Sequence, residues 1–379
     1  HYPLRRQRQM CIRDSYNALR ENWDLSQYGG NSRDGEKKVC AQFVDSVGNK
    51  TIVEDSITLK SSISVPTLQL LSPRIKDRVK NGDAVTVDGK SEPNVTIVAM
   101  NVLDESGKPV DLDLSKVVYD AGTGRITGSF NLGQLTAKTL QLKLTVKDAL
   151  GNQIDGASNI LTVDNEPPGN TGISIDQGDV VNSYSVTLTV SATDAHEMYV
   201  DGDVAEVYGS AVRSWVPFVN KLGVKLTDGD GVKTVRVKFR DDLGNEAAEV
   251  SDQIIVDTTP PKGTVVINNG DEFAKSFLVM LTLSATDASS VTAYQLSNNG
   301  TIWTEVLPYK ADTVKDWDTR LFGGNNNEGA KAVYAKYKDV VGNWSEPASD
   351  SIKVDVTSPT ITPVEPSGVV QEATKPITV

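Results

Sequence analysis

The chain has 379 residues, 38% of them hydrophobic and 23% charged, which suits a globular protein and excludes wholesale disorder. Its formal net charge is −12, and a surface that acidic repels phosphate backbones and anionic lipid, excluding nucleic acid as a partner. Two cysteines, Cys11 and Cys40, cannot build a disulfide framework or a zinc site, and no apolar run reaches the roughly 18 residues of a membrane-spanning helix.

Residues 1–15, HYPLRRQRQMCIRDS, stand apart from everything that follows. They carry four arginines, His1 and Cys11, and they lack the apolar stretch of a secretory signal. Residues 1–14 are similar to a translated sequencing adapter, so 1–15 is expected to be non-native and disordered. Without its four Arg and one Asp the remainder stands at −15.

From residue 16 onward the chain repeats. One pattern occurs four times: DGEKKVCAQFVDSVGN (34–49), AKTLQLKLTVKDALGN (137–152), DGVKTVRVKFRDDLGN (230–245) and EGAKAVYAKYKDVVGN (328–343). The aspartates that open D-x-x-G-N, Asp45, Asp148, Asp241 and Asp339, lie 103, 93 and 98 residues apart. In three copies an Asp-Pro joint follows: VDNEPP (163–168), VDTTPP (256–261) and VDVTSP (354–359). NGD (81–83), QGD (177–179) and NGD (269–271) mark the early part of each unit. A period of that size makes each copy a structural unit. The expected divisions are 16–60, the later part of a truncated repeat; 61–164, 165–257 and 258–355, complete repeats; and 356–379, the start of another.

Each unit is predicted to be made of strands. Val235, Val237 and Phe239 alternate with Arg236 and Lys238, and Val333, Ala335 and Tyr337 alternate with Tyr334 and Lys336. Val186, Leu188, Val190 and Ala192 match Val279, Leu281, Leu283 and Ala285 in the same way. A period of two places one set on a core and the other toward solvent. In D-x-x-G-N the aspartate can bond the backbone ahead of it and the glycine can take a positive φ, so the last two strands of each unit should form a hairpin. Several short strands in about 95 residues indicate a two-sheet antiparallel sandwich. Stiff proline joints without Gly/Ser linkers then favour a semi-rigid array.

These residues resemble the immunoglobulin-like or fibronectin-III-like repeats of large bacterial secreted and cell-surface proteins. The likeness runs through Trp215, Asp230, Gly231, Asp241, Gly244, Asn245 and 257–261, then Trp303, Glu328, Gly329, Asp339, Gly342, Asn343 and Asp355, with Trp23 and 34–49 in the first partial unit. Unit 61–164 departs from it, having no tryptophan. The resemblance implies an all-β fold, tandem Ig-like antiparallel β-sandwich domains in an elongated array. It implies a non-enzymatic extracellular repeat region, a stalk, spacer or adhesin shaft, working as an elongated monomer on a bacterial surface. Its partner would be an extracellular protein or glycan. The alternative is a set of carbohydrate- or substrate-binding or spacer modules of a secreted hydrolase whose catalytic domain lies elsewhere.

A search for chemistry yields little. His196, the sole histidine after residue 15, follows ATDA and precedes Glu197, but position 200 is Val, so H-E-x-x-H fails. It reads as a loop residue between strands, and no catalytic, cofactor-binding or metal residue is assigned. Calcium is the one cofactor the acidic loops suggest, since hard cations favour clustered carboxylates. Asp228, Asp230, Asp194, Asp287 and joint residue Asp257 could converge at a domain end. Copy variation favours the plainer view that each Asp stabilises a turn: position 230 is Glu328 in one unit and Ala137 in another. Trp23, Trp215, Trp303, Trp317 and Trp344 are expected to pack on the core or its rim rather than to form a sugar platform, with Trp344 the most exposed. Cys40 aligns with Arg236 and Tyr334, so its thiol is expected to be accessible.

Overall fold

A computed structural model describes residues 10–12, 24–27, 29–311 and 313–361. The chain divides into two compact units, 1–166 and 167–379. Trp23 and the stretch 362–379 lie outside the described residues, as does most of 1–15.

The first unit opens with β1 (Met10–Ile12), β2 (Gly35–Val44) and β3 (Lys50–Leu59). β2 and β3 form the expected hairpin, in register from Gly35 opposite Leu59 to Val44 opposite Lys50. No second sheet faces it among the described residues, and Phe43, Ile52 and Val53 stay about half exposed. β1 runs parallel to the free edge of β2, with Cys11 opposite Cys40. An unpaired edge offers N–H and C=O groups to any extended segment.

A sandwich follows, made of β4 (Thr67–Leu71), β5 (Arg78–Val79), β6 (Ala84–Lys90), β7 (Thr96–Leu103), β8 (Val118–Asp120), β9 (Arg125–Asn131), β10 (Thr139–Lys147) and β11 (Gln153–Val163). One sheet runs β4-β6-β9-β8 and the other β5-β11-β10-β7. Leu140, Leu142, Leu144 and Val146 point inward from β10 and are fully buried. Each such side chain contributes about 1.5–3 kcal/mol through burial.

The second unit holds two more sandwiches. The first contains β12 (Gly169–Ile175), β13 (Val180–Val181), β14 (Ser185–Thr193), β15 (Glu197–Gly202), β16 (Val204–Val207), β17 (Trp215–Pro217), β18 (Lys221–Leu226), β19 (Gly231–Arg240) and β20 (Val250–Val256). Its sheets run β12-β14-β18-β16 and β13-β20-β19-β15-β17. The other contains β21 (Lys262–Ile267), β22 (Phe273–Ala274), β23 (Leu278–Thr286), β24 (Val291–Ser297), β25 (Leu307–Pro308), β26 (Thr313–Asp318), β27 (Gly329–Asp339) and β28 (Ala348–Val354), in sheets β21-β23-β26 and β22-β28-β27-β24-β25.

The period-two expectation holds. Val235, Val237 and Phe239 on β19 are fully buried, as are Val333, Ala335 and Tyr337 on β27. Three separate cores result, drawn from residues 63–163, 175–256 and 265–354. The fold is all-β, with one refinement. Beside NGD or QGD, a two-residue strand (β5, β13 or β22) pairs parallel with the last strand of its sandwich.

Cys40 corrects the register argument. Its side chain is fully buried, and Sγ donates to Glu54 Oε1 at 3.6 Å beside the Lys38–Glu54 ion pair. The expectation carried over the register of β19 and β27, where a second sheet defines inside and outside. The isolated hairpin has no such sheet. Here β2 is flanked at Cys40 by β1 and β3.

Candidate metal centre

The D-x-x-G-N turn has one geometry in all four copies. The aspartate N–H donates to the asparagine carbonyl, at 3.0 Å for Asp45 and Asp148 and 3.2 Å for Asp241 and Asp339. Aspartate Oδ1 accepts the asparagine backbone N–H at 2.8, 2.9, 2.7 and 2.8 Å. Oδ2 accepts the asparagine side-chain amide at 2.8, 3.0, 2.8 and 2.7 Å. The glycine sits at φ +95, +93, +80 and +109°, a region that a Cβ makes costly.

Asn343 and Asn152 do more than close their own turns. Asn343 Nδ2 also donates to the backbone carbonyl of Asp257, the first residue past β20, at 2.9 Å. Asn152 Nδ2 donates to the carbonyl of Lys60, the first residue past β3, at 3.2 Å. The turn of one repeat thus grips the chain as it leaves the previous one.

The previous repeat grips the same joint from its own side. Asp230, just before β19, accepts Thr258 Oγ1 at 2.8 Å and Thr259 Oγ1 at 2.6 Å. Glu328 accepts the Val356 N–H and Thr357 Oγ1, both at 2.7 Å, and Asp34 accepts the Ser61 N–H at 2.9 Å. The hydroxyl of Thr259, with help from Thr258 and Tyr184, holds the Asp230 carboxyl down to about 2. Where an acid stands at this position, as Asp34, Asp230 or Glu328, a Ser or Thr of the following joint meets it; the Ala137 copy, followed by NEPP, has neither. The side-chain contact was hidden in the sequence because acid and hydroxyl lie 27 to 29 residues apart.

At the joint 257–262 these devices bring three carboxylates together. One oxygen each from Asp257, Asp287 and Asp339 lies within 4.8 Å of the other two. Asp257 follows β20, Asp287 follows β23 and Asp339 ends β27. Asp257 is 5% exposed and Asp339 1% exposed. The carboxylates are partly satisfied: Asp257 Oδ1 accepts the Thr259 N–H at 3.1 Å, and Asp287 Oδ1 accepts the Ser289 N–H at 2.9 Å. Asp257 Oδ2, however, is buried with no hydrogen-bond partner. No Lys, Arg or His pairs with any of the three among the described residues. A buried carboxylate with an unpartnered oxygen, grouped with two more carboxylates, is expensive unless a cation joins them. An all-oxygen donor set of this kind suits a hard divalent ion.

Of the residues the sequence raised for calcium, Asp257 and Asp287 do meet. Asp228, Asp230 and Asp194 are not in the cluster. Asp339 reads in the sequence as a turn former; its D-x-x-G-N turn, like that of Asp148, also lies against a joint. His196 lies between β14 and β15, with its carbonyl accepting the Phe218 N–H at 2.9 Å.

The tryptophans present occupied faces. The Arg240 guanidinium lies 4.3 Å from the Trp215 ring, and Lys336 Nζ lies 4.6 Å from Trp303 and 4.9 Å from Trp344. Trp317 is buried, with Nε1 donating to Asn298 Oδ1 at 2.7 Å. Trp344 is half-buried rather than prominent.

No family model matches the chain, and no curated protein matches it. Among solved structures it is similar to one described as a Ca2+-stabilized adhesin that helps an Antarctic bacterium reach out and bind ice, with 19% identity over 86% of this chain and 84% of that one and a TM-score of 0.41. A structure concerned with host cell surface retention of a 1.5-MDa bacterial ice-binding adhesin shows 17% identity over 79% of this chain and all of that one, with a TM-score of 0.44. Fibronectin(III)-like modules of Clostridium thermocellum CbhA show 14% identity over 49% of this chain and 94% of theirs, with a TM-score of 0.28.

Proposed function

We propose that this chain is a non-enzymatic spacer, a run of Ig-like repeats from the extracellular part of a bacterial surface or secreted protein, and that calcium fixes its joint at Asp257. A spacer has to resist bending where one repeat hands over to the next. The side chains found at the joints serve that need: Asp230 holds Thr258 and Thr259, and Asn343 holds the Asp257 carbonyl.

The observation that carries the calcium reading is Asp257 Oδ2, buried and unpartnered within a group of three carboxylates. Calcium supplies the missing positive charge and links residues from both sides of the joint. Asp257 comes from the end of one sandwich, Asp287 and Asp339 from the next. The covered tryptophan faces lend no support to a sugar platform.

Limited proteolysis of the full chain tests this reading. With calcium, trypsin should spare Lys262, which follows the joint; with EDTA, cleavage there should accelerate about tenfold, the population change expected for a loss of roughly 1.4 kcal/mol of local stability. Equal cleavage rates at Lys262 in both buffers would refute a calcium-fixed joint.

A further inference from the structure

The joint inside the first unit has the same frame around a different residue. Lys60 and Asp257 each follow the last strand of a repeat, and each gives its backbone carbonyl to the asparagine of the next D-x-x-G-N turn. In both joints that asparagine also holds Oδ2 of the turn aspartate, Asp148 or Asp339. In both, a second acid stands just past the second long strand of the following sandwich: Glu92 after β6, Asp287 after β23. The second acid is Glu at one joint and Asp at the other, and the one change of charge is at Lys60. Of Lys60, Asp164, Asp257 and Asp355, which share that position along the sequence, only the first is basic.

The lysine side chain turns into the acids. Lys60 Nζ pairs with Glu92 Oε2 and lies 3.7 Å from Asp148 Oδ2. Glu92 Oε1 accepts the Ser64 N–H at 2.7 Å, which ties the acid to the chain just beyond the joint. The charge balance is the same as at Asp257 with a divalent ion. Two carboxylates and one ammonium leave one negative charge; three carboxylates and one divalent cation leave one as well. The pairing with Lys60 holds the Glu92 carboxyl down to about 2, as a bound cation would.

We propose that Lys60 is a built-in cation, occupying the place that calcium takes at Asp257, so that this joint is fixed without metal. This rests on the calcium reading of the Asp257 joint for its comparison, but its own geometry is independent of it. The chain then carries joints of two kinds: one that loosens when calcium is withdrawn and one that does not. A spacer built this way changes stiffness locally, not along its whole length, as the ion concentration changes.

Ion counting on the full chain tests the assignment. By equilibrium dialysis against calcium, Lys60→Asp should bind one more ion per chain than the wild type, whereas Lys60→Gln should bind no more than the wild type. A Lys60→Asp chain that folds and gains no ion overturns the proposal. Hydrogen exchange of the unmodified chain gives a second reading that needs no variant. Amides at 60–64 should exchange at the same rate in calcium and EDTA, and amides at 257–262 should exchange faster in EDTA. Faster exchange at both joints in EDTA overturns the role of Lys60. If neither joint responds, the calcium reading of Asp257 fails, and the ion count of Lys60→Asp decides the lysine on its own.

Discussion

Replacing Asp257 by Asn should stabilise the chain in EDTA and bring little gain in calcium. The three carboxylate oxygens lie within 4.8 Å of one another, and Asp257 takes part in two of the three pairs. At an effective dielectric of about 20, two unit charges at that separation repel by about 3.5 kcal/mol before side chains relax. Asp287 is half-exposed and can swing outward, which cuts the realised cost to about 1–2 kcal/mol. Asp257→Asn keeps the shape and removes that repulsion, so in EDTA the variant should melt above the wild type. In calcium the wild type recovers about as much, and the gap closes to within about 1 kcal/mol. An extracellular-type site with a Kd of about 0.1 mM, in about 2 mM calcium, stabilises the folded state by about 1.8 kcal/mol. For a domain of about 100 residues that is a difference of roughly 7–14 °C in Tm. Differential scanning calorimetry of the full chain in both buffers reads these values. The wild type should lose that margin in EDTA and the variant should lose little. If both lose the same amount, the ion is not at Asp257, and the electrostatic reasoning fails with it.

The remaining predictions address the clasps and the core. Asn343→Ala removes hydrogen bonds to Asp257 O and Asp339 Oδ2, and should cost about 1–2 kcal/mol in urea unfolding; a change below about 0.3 kcal/mol would show that the turn closes without it. Gly263→Ala places a Cβ 2.2 Å from the ring of Tyr337, which is fully buried. The overlap should cost about 1–3 kcal/mol and lower Tm, whereas an unchanged Tm would mean that β21 stands further from that ring. Acid should also weaken the joints. Thr259 holds Asp230, and Lys60 holds Glu92, each at about 2 in the folded chain, against 3.8 and 4.5 for the free groups. Both carboxylates are depressed, so their contribution is fully present above about pH 4.5 and is lost as pH falls toward about 2. Urea midpoints measured across that window should fall, and they should fall less in Asp230→Asn. Equal slopes would remove Asp230 from the account.

Much of this was legible along the chain. Alternation of Val, Phe and Tyr with Lys and Arg marked β19 and β27, because a strand's two faces are set by its own backbone. D-x-x-G-N marked four hairpin turns, because every hydrogen bond of that turn lies within five residues. The same locality limited the reading. It described Asp339 as a turn former and stopped there.

The sequence by itself determined the repeat, the strands, the turns and the all-β class, since each depends on neighbours a few residues away. Tertiary structure alone decided which acids meet. Asp257, Asp287 and Asp339 are separated by 30 and 52 residues, and only the packing of one sandwich end against the incoming chain brings them together. It also decided that Lys60 enters a matching frame, and that Cys40 is covered although its place in the repeat pointed outward. Charge and burial at a joint are set by residues from two repeats at once, which the pattern within one repeat does not contain.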